Sequence, residues 1–108
     1  MSRQIKFRAW HKNSNHMCQN VKTDLLERDY LIFMQYTELS DINGDNIYEG
    51  DIVYQTSKIL SSEDINFTGE VKFYDGSWWI DNGINAIYLF NKYCENRIVG
   101  NRFEGLRY

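Results

Sequence analysis

The dipeptide Asp75-Gly76, set between Val71-Lys72-Phe73-Tyr74 and Ser77-Trp78-Trp79-Ile80, constrains this chain more than any other feature. A two-residue Asp-Gly loop between apolar runs predicts a β-hairpin. So short a loop also determines the register. Tyr74 pairs with Ser77, Phe73 with Trp78, Lys72 with Trp79 and Val71 with Ile80. Side chains alternate along a strand, so Val71, Phe73, Trp78 and Ile80 share one wholly apolar face, the expected core. Lys72, Tyr74, Ser77 and Trp79 share the other. The two adjacent tryptophans therefore take opposite faces. Trp79 is expected on the outer one, opposite Lys72 and within reach of a cation–π contact.

Short strands bounded by turn residues recur along the rest of the chain. Ile5 to Trp10 alternates strictly, which predicts a half-buried strand with Ile5, Phe7 and Ala9 on one face and Lys6, Arg8 and Trp10 on the other. His11 to Asn15 is a polar loop, and Met17 to Val21 is expected to return antiparallel. Thr23 to Arg28 is the best helical candidate, with Thr23 as N-cap and Asp24 at the positive end of the dipole. Leu31 to Tyr36 is an apolar run one strand long, expected to be covered on both faces. Asn43-Gly44 reads as a tight turn, followed by Ile47-Tyr48 and, after Gly50-Asp51, a strand over Ile52 to Tyr54. Gln55 to Asn66 is polar and reads as an exposed loop. Asn82-Gly83 is a further turn. Ala86 to Tyr93 fits a helical stripe of Ile87, Phe90 and Cys94 as well as a buried strand, and the strand is preferred. Ile98 to Phe103 is the closing strand, with Gly100 marking a bulge or a close backbone approach.

There is no internal repeat and no break in composition across the 108 residues, so one domain is expected over 1–108. Its class is mainly β, on the border of α+β: small antiparallel sheets, as a small barrel or a packed pair, with at most short helices. Aromatic residues make up 16% of the chain and must supply much of the core. The formal charge of −3, from 15 acidic and 12 basic residues, gives no bulk attraction to nucleic acid or anionic lipid. No apolar stretch has signal-peptide or membrane-spanning length, so a cytoplasmic location without membrane attachment is expected. In that compartment Cys18 and Cys94 are expected as free thiols.

Several segments together carry a resemblance. They are Ile5-Lys6-Phe7-Arg8-Ala9-Trp10, Met34-Gln35-Tyr36-Thr37, Asp41-x-Asn43-Gly44, Ile47-Tyr48-Glu49-Gly50-Asp51-Ile52-Val53, Gly69-Glu70-Val71 and Ile98-Val99-Gly100-Asn101. In order and spacing the chain resembles the YopX family along nearly its whole length. The resemblance implies a compact, mostly β fold with an SH3-like barrel portion, expressed from a phage or prophage inside a bacterial cell. It implies no catalytic residues. Where the family usually approaches the turn through Leu-Lys-Asp-Lys-Asn-Gly, this chain has Leu39-Ser40-Asp41-Ile42-Asn43-Gly44, which removes both lysines and weakens a phosphate-binding reading of the loop.

Other constellations favour structural roles. Asp41, Asn43 and Asp45 stand at alternate positions, as in a calcium loop, but Asn46 replaces the required Gly and Ile52 the bidentate Glu. His11, His16, Cys18 and Cys94 fit no standard zinc spacing. Glu49 and Asp51, beside Gly50, are expected to bond backbone N–H groups near the turn; Asn43, Gly44, Tyr48, Glu49, Gly50 and Asp51 are thus read as framework residues. No cofactor is implied, and no nucleophile–base pair supports an enzyme. The remaining candidate surface is aromatic and basic: Arg8 and Trp10 on one strand face, Lys72, Tyr74 and Trp79 on another. It suits a protein partner or self-association; the alternative is a nucleic-acid accessory role, bases stacking on exposed rings. A second layer of the same fold covering these rings is the remaining reading.

Overall fold

The computed structural model describes residues 6–21, 29–58 and 66–106. Among them ten strands form two antiparallel sheets. Strands β1 (Phe7–His11), β2 (His16–Cys18), β3 (Leu31–Ser40) and β4 (Asn46–Tyr48) make a four-stranded sheet in the order β2-β1-β3-β4. Strands β5 (Asp51–Ser57), β6 (Asn66–Tyr74), β7 (Ser77–Asp81), β8 (Ala86–Tyr88), β9 (Cys94–Asn101) and β10 (Gly105–Leu106) make a six-stranded sheet in the order β10-β9-β5-β6-β7-β8. Strands β5 to β8 form a meander, and β9 returns to pair with β5. That is SH3-like connectivity in a curled half-barrel, and the fold is mainly β. Thr23 to Arg28, the helical candidate, and Ser61 to Asp64 lie outside the described residues. Among those described, no helix is long and apolar enough to cross a membrane.

The β6–β7 hairpin has the register that its turn dictates: Tyr74 faces Ser77, Phe73 faces Trp78, Lys72 faces Trp79 and Val71 faces Ile80. Asp75 and Gly76 both take positive φ, 50° and 74°, as a two-residue type I′ loop requires. Val71 and Ile80 join Ile47, Val53 and Leu89 in the buried core, with Leu39, Phe67, Trp78, Ile87 and Ile98 packed against it. Each fully buried aliphatic side chain contributes about 2 kcal/mol relative to exposure. Phe73 departs from expectation. It shares the core face yet is 53% exposed, because the hairpin runs past the end of the core and only Trp78 remains beside its ring.

Two loops explain how the sheets are locked. The Asp41 side chain accepts the N–H groups of Asn43 (2.9 Å) and Asp45 (3.0 Å) through Oδ1, and that of Ile98 on β9 (3.1 Å) through Oδ2. The 41–45 turn is thus an Asx-built loop pinned to the half-barrel; its positive φ falls on Gly44 alone, at 83°. In β9, Ile98 pairs with Val53 and Gly100 with Ile52, so Val99 is the extra residue of a bulge. A Cβ on Gly100 would run into the Gly105 carbonyl of β10. The sequence offered a bulge or a close approach there, and both occur.

Gln55 corrects the expected exposed loop. It belongs to β5 and is buried. Its Nε2 donates to the carbonyls of Tyr88 (3.2 Å) and Leu89 (3.1 Å) and to Asn96 Oδ1 (2.9 Å), while Asn96 Nδ2 donates to the Leu89 carbonyl (3.0 Å). Side-chain amides therefore stitch the end of β8 to β9, where no β8–β9 ladder forms among the described residues.

Candidate interaction surface

Glu49, Gly50 and Asp51, the residues most suggestive of chemistry by type, are committed to the framework. Asp51 is fully buried; its Oδ2 accepts the Tyr48 N–H at 2.8 Å and its Oδ1 lies 2.7 Å from Arg8 Nη2. The Glu49 N–H donates to the Gln35 carbonyl (2.9 Å), and Glu49 Oε1 accepts the Gln35 N–H (3.4 Å). Gly50 holds φ 89°, donates to the Val71 carbonyl and accepts from the Arg102 N–H, both at 2.9 Å. This short run therefore ties β3, β4, β6 and the segment after β9 together. Burial raises the Tyr48 hydroxyl above its ordinary pKa, and nearby Arg8 opposes the shift.

Arg8 and Trp10 do not face solvent. Arg8 is 4% exposed; besides Asp51 it donates from Nη2 to the Glu49 carbonyl (3.3 Å) and lies 4.9 Å over the Tyr48 ring. Trp10 stacks on Phe103 at 5.0 Å and 7°. Alternation in β1 predicts one wet face, but Asp51 and Glu49 cover one end of it and Phe103 the other. The second-layer reading thus holds for this strand.

Lys72, Tyr74 and Trp79 do share the outer face of the hairpin, and β8 extends it, because Tyr88 pairs directly with Trp79. The Trp79 indole lies between Tyr74 (5.3 Å, 7°) and Tyr88 (4.4 Å, 22°), contributed by the strands on either side. Its Nε1 donates to the Tyr74 carbonyl at 2.9 Å. The tyrosines take both ring faces, so the expected Lys72 cation–π contact does not form. Tyr74 donates its hydroxyl to Asp81 Oδ2 (3.3 Å); desolvation, then the Asp81 charge, raises its pKa.

The same end of the sheet carries aromatic side chains on its other face. Phe73 meets Trp78 edge-on at 5.0 Å and 64°. Trp78, Leu39, Ser77, Tyr88 and Phe90 line a groove of about 350 Å³, which adjoins a hollow of about 410 Å³ reaching Lys58 and Lys92. Tyr88 is 58% exposed and Phe90 67%. The result is a belt of rings, Tyr74-Trp79-Tyr88 and Phe90-Trp78-Phe73, wrapped around the β6–β8 end. Sequence reasoning missed Phe73, Tyr88 and Phe90. The signal for the last two was present: Ile87 and Leu89 point inward and Tyr88 and Phe90 outward, a period of two in a stretch read as wholly buried.

His11 and His16 pair across β1 and β2, and His11 Nδ1 accepts the Ser14 N–H at 3.2 Å. Cys94 lies buried in the other sheet, and both cysteines are unbridged. Among the described residues no three His, Cys, Asp or Glu side chains gather as a metal centre requires.

The fold and surface define an all-β protein with an SH3-like half-barrel backed by a smaller sheet. The family model described as YopX protein matches residues 18–105, and the chain belongs to that family. In shape it is similar to the crystal structure of protein EF1440 from Enterococcus faecalis, with a TM-score of 0.56 and 20% identity over 93% of this chain and 94% of that one. No curated protein matches it.

Proposed function

We propose that this protein is a non-enzymatic interaction module that docks a protein surface through the aromatic belt at its β6–β8 end. One observation carries the reading: Phe73, Tyr74, Tyr88 and Phe90 are all exposed and linked through Trp78 and Trp79. Their exposures amount to about two whole rings, or about 400 Å² at about 200 Å² per ring. Contiguous apolar patches of that size mark interaction sites, and aromatic residues dominate the energetics of such sites. The commitment of Glu49 and Asp51 to backbone and Arg8 supports the absence of acid–base catalysis. The family resemblance supports expression from a phage or prophage and action in the host cytoplasm. The single-stranded nucleic-acid alternative has less support. Base stacking needs a free ring face, and both faces of Trp79 are taken; Arg8 is held by Asp51.

A photo-crosslinking residue at Phe90 or Phe73, in the chain produced in a bacterial host, tests the proposal. Adducts with protein are expected at both positions and not at exposed Lys12 or Asn13, on the β1–β2 turn. Failure at both aromatic positions would remove the basis for the reading.

A further inference from the structure

We infer that the partner of the aromatic belt is a second copy of this chain, related by a twofold axis through the Trp78–Trp79 region. This rests on the docking reading above and adds the occupant. Two independent features point to it. The first is area. A standard interface buries about 800 Å² per partner, of which about 57% is apolar. That apolar share, about 450 Å², is close to the about 400 Å² of ring surface left exposed. A twofold dimer would therefore cover the belt with no other apolar surface needed.

The second feature is the placement of charge. The belt runs sideways in the strand order β6-β7-β8. At the β6–β7 turn its flank is the exposed Asp75; beyond β8 its flank is the exposed Lys92, beside Phe90. One flank is anionic and the other cationic. A twofold interface brings residue i against j and j against i. Two copies facing each other thus set each Asp75 toward the partner copy's Lys92, twice over. A strongly acidic or basic partner would meet repulsion at one flank. A like copy meets attraction at both, around an apolar centre.

Sedimentation equilibrium of the full chain tests this. The weight-average mass is expected to rise from 12.9 kDa toward twice that value between about 1 and 200 µM, the range of a micromolar dimer. Phe90→Ser, at an exposed position, should raise the dissociation constant at least about tenfold while circular dichroism and melting stay those of the folded chain. Lys92→Glu should also weaken self-association. Asp75→Lys places a lysine at a φ of 50°, so its melt is checked first. If it folds, mixing it with Lys92→Glu should restore dimers, because each mixed pair then sets opposite charges together at both flanks. If it does not fold, Asp75→Asn, which tolerates that φ, should weaken self-association on its own. A chain that stays monomeric at about 200 µM, or a dimer indifferent to Phe90→Ser, overturns the inference. The crosslinking experiment separates the two claims. Adducts only with a different protein sink the second copy and keep the docking surface, whereas no adduct sinks both.

Discussion

Replacing Asp51 by alanine is the sharpest test of how this fold is held. The Asp51 carboxylate does two things at once. It accepts the Tyr48 N–H at 2.8 Å, and it neutralises Arg8 at 2.7 Å with both side chains buried. Removing one partner of a buried pair costs about 3–5 kcal/mol, because the other charge stays buried without its counter-ion. The lost backbone bond adds about 1 kcal/mol. A loss of about 4–5 kcal/mol is therefore expected, a large share of the about 5–15 kcal/mol that stabilises a domain of this size. Asp51→Asn keeps an acceptor for Tyr48 and loses only the charge, so about 2–3 kcal/mol is expected. Adding Arg8→Met to Asp51→Asn removes the stranded cation and should recover about 2 kcal/mol, a coupling typical of contacting residues. Urea unfolding followed by tryptophan fluorescence reads all of this; Asp51→Ala should shift the midpoint down by about 2–3 M. Protein concentration is held constant, because binding of a second copy would add to apparent stability. A midpoint shift below about 0.5 M, or strictly additive effects of Arg8→Met and Asp51→Asn, would refute the role given to the pair.

Three further outcomes are expected. Gln55→Leu removes the donor to the Tyr88 and Leu89 carbonyls and should cost about 2 kcal/mol, seen as a lower melting temperature; a change within about 0.5 kcal/mol would show that the amide seam is not needed. Gly100→Ala meets the Gly105 carbonyl and should cost about 1–3 kcal/mol through forced backbone shifts, with amide exchange rising first at Gly105 and Leu106. Burial raises the pKa values of Cys94 and Tyr48 above their ordinary 9.0 and 10.0. Both groups are neutral when protonated, so their stabilising effect is complete below those values and is lost as pH climbs through the higher folded-state values. Denaturant midpoints should thus fall above pH 9, and Tyr48→Phe with Cys94→Ala should flatten the fall; an equal alkaline loss in that double variant would show that other groups cause it.

What could be read from the chain depended on how local its physics is. The β6–β7 register was legible because a two-residue loop leaves no choice. The Asx turn at 41–45 and the bulge at Gly100 were legible because each needs a residue with special backbone or side-chain chemistry. Burial was less so. Alternation in β1 states which side chains share a face, but not that Asp51, Glu49 and Phe103 arrive from distant parts of the chain to cover Arg8 and Trp10. For the same reason Phe73 reads as core: whether a strand outruns the layer beneath it is set by that layer's extent. The candidate surface was half legible. Tyr74 and Trp79 were placed on the outer hairpin face, whereas Tyr88 joined them only through the β7–β8 pairing across the Asn82-Gly83 turn.

The residues through which this chain is recognised as one of its family are the internal wiring. Asp41, Glu49, Gly50 and Asp51 all turn their bonding capacity inward, onto the chain's own amides or onto Arg8. A search keyed to them finds every protein wired alike and is blind to what each one touches. Two relatives can then share this frame and serve unrelated roles, distinguished by a handful of rings at the far end of a hairpin.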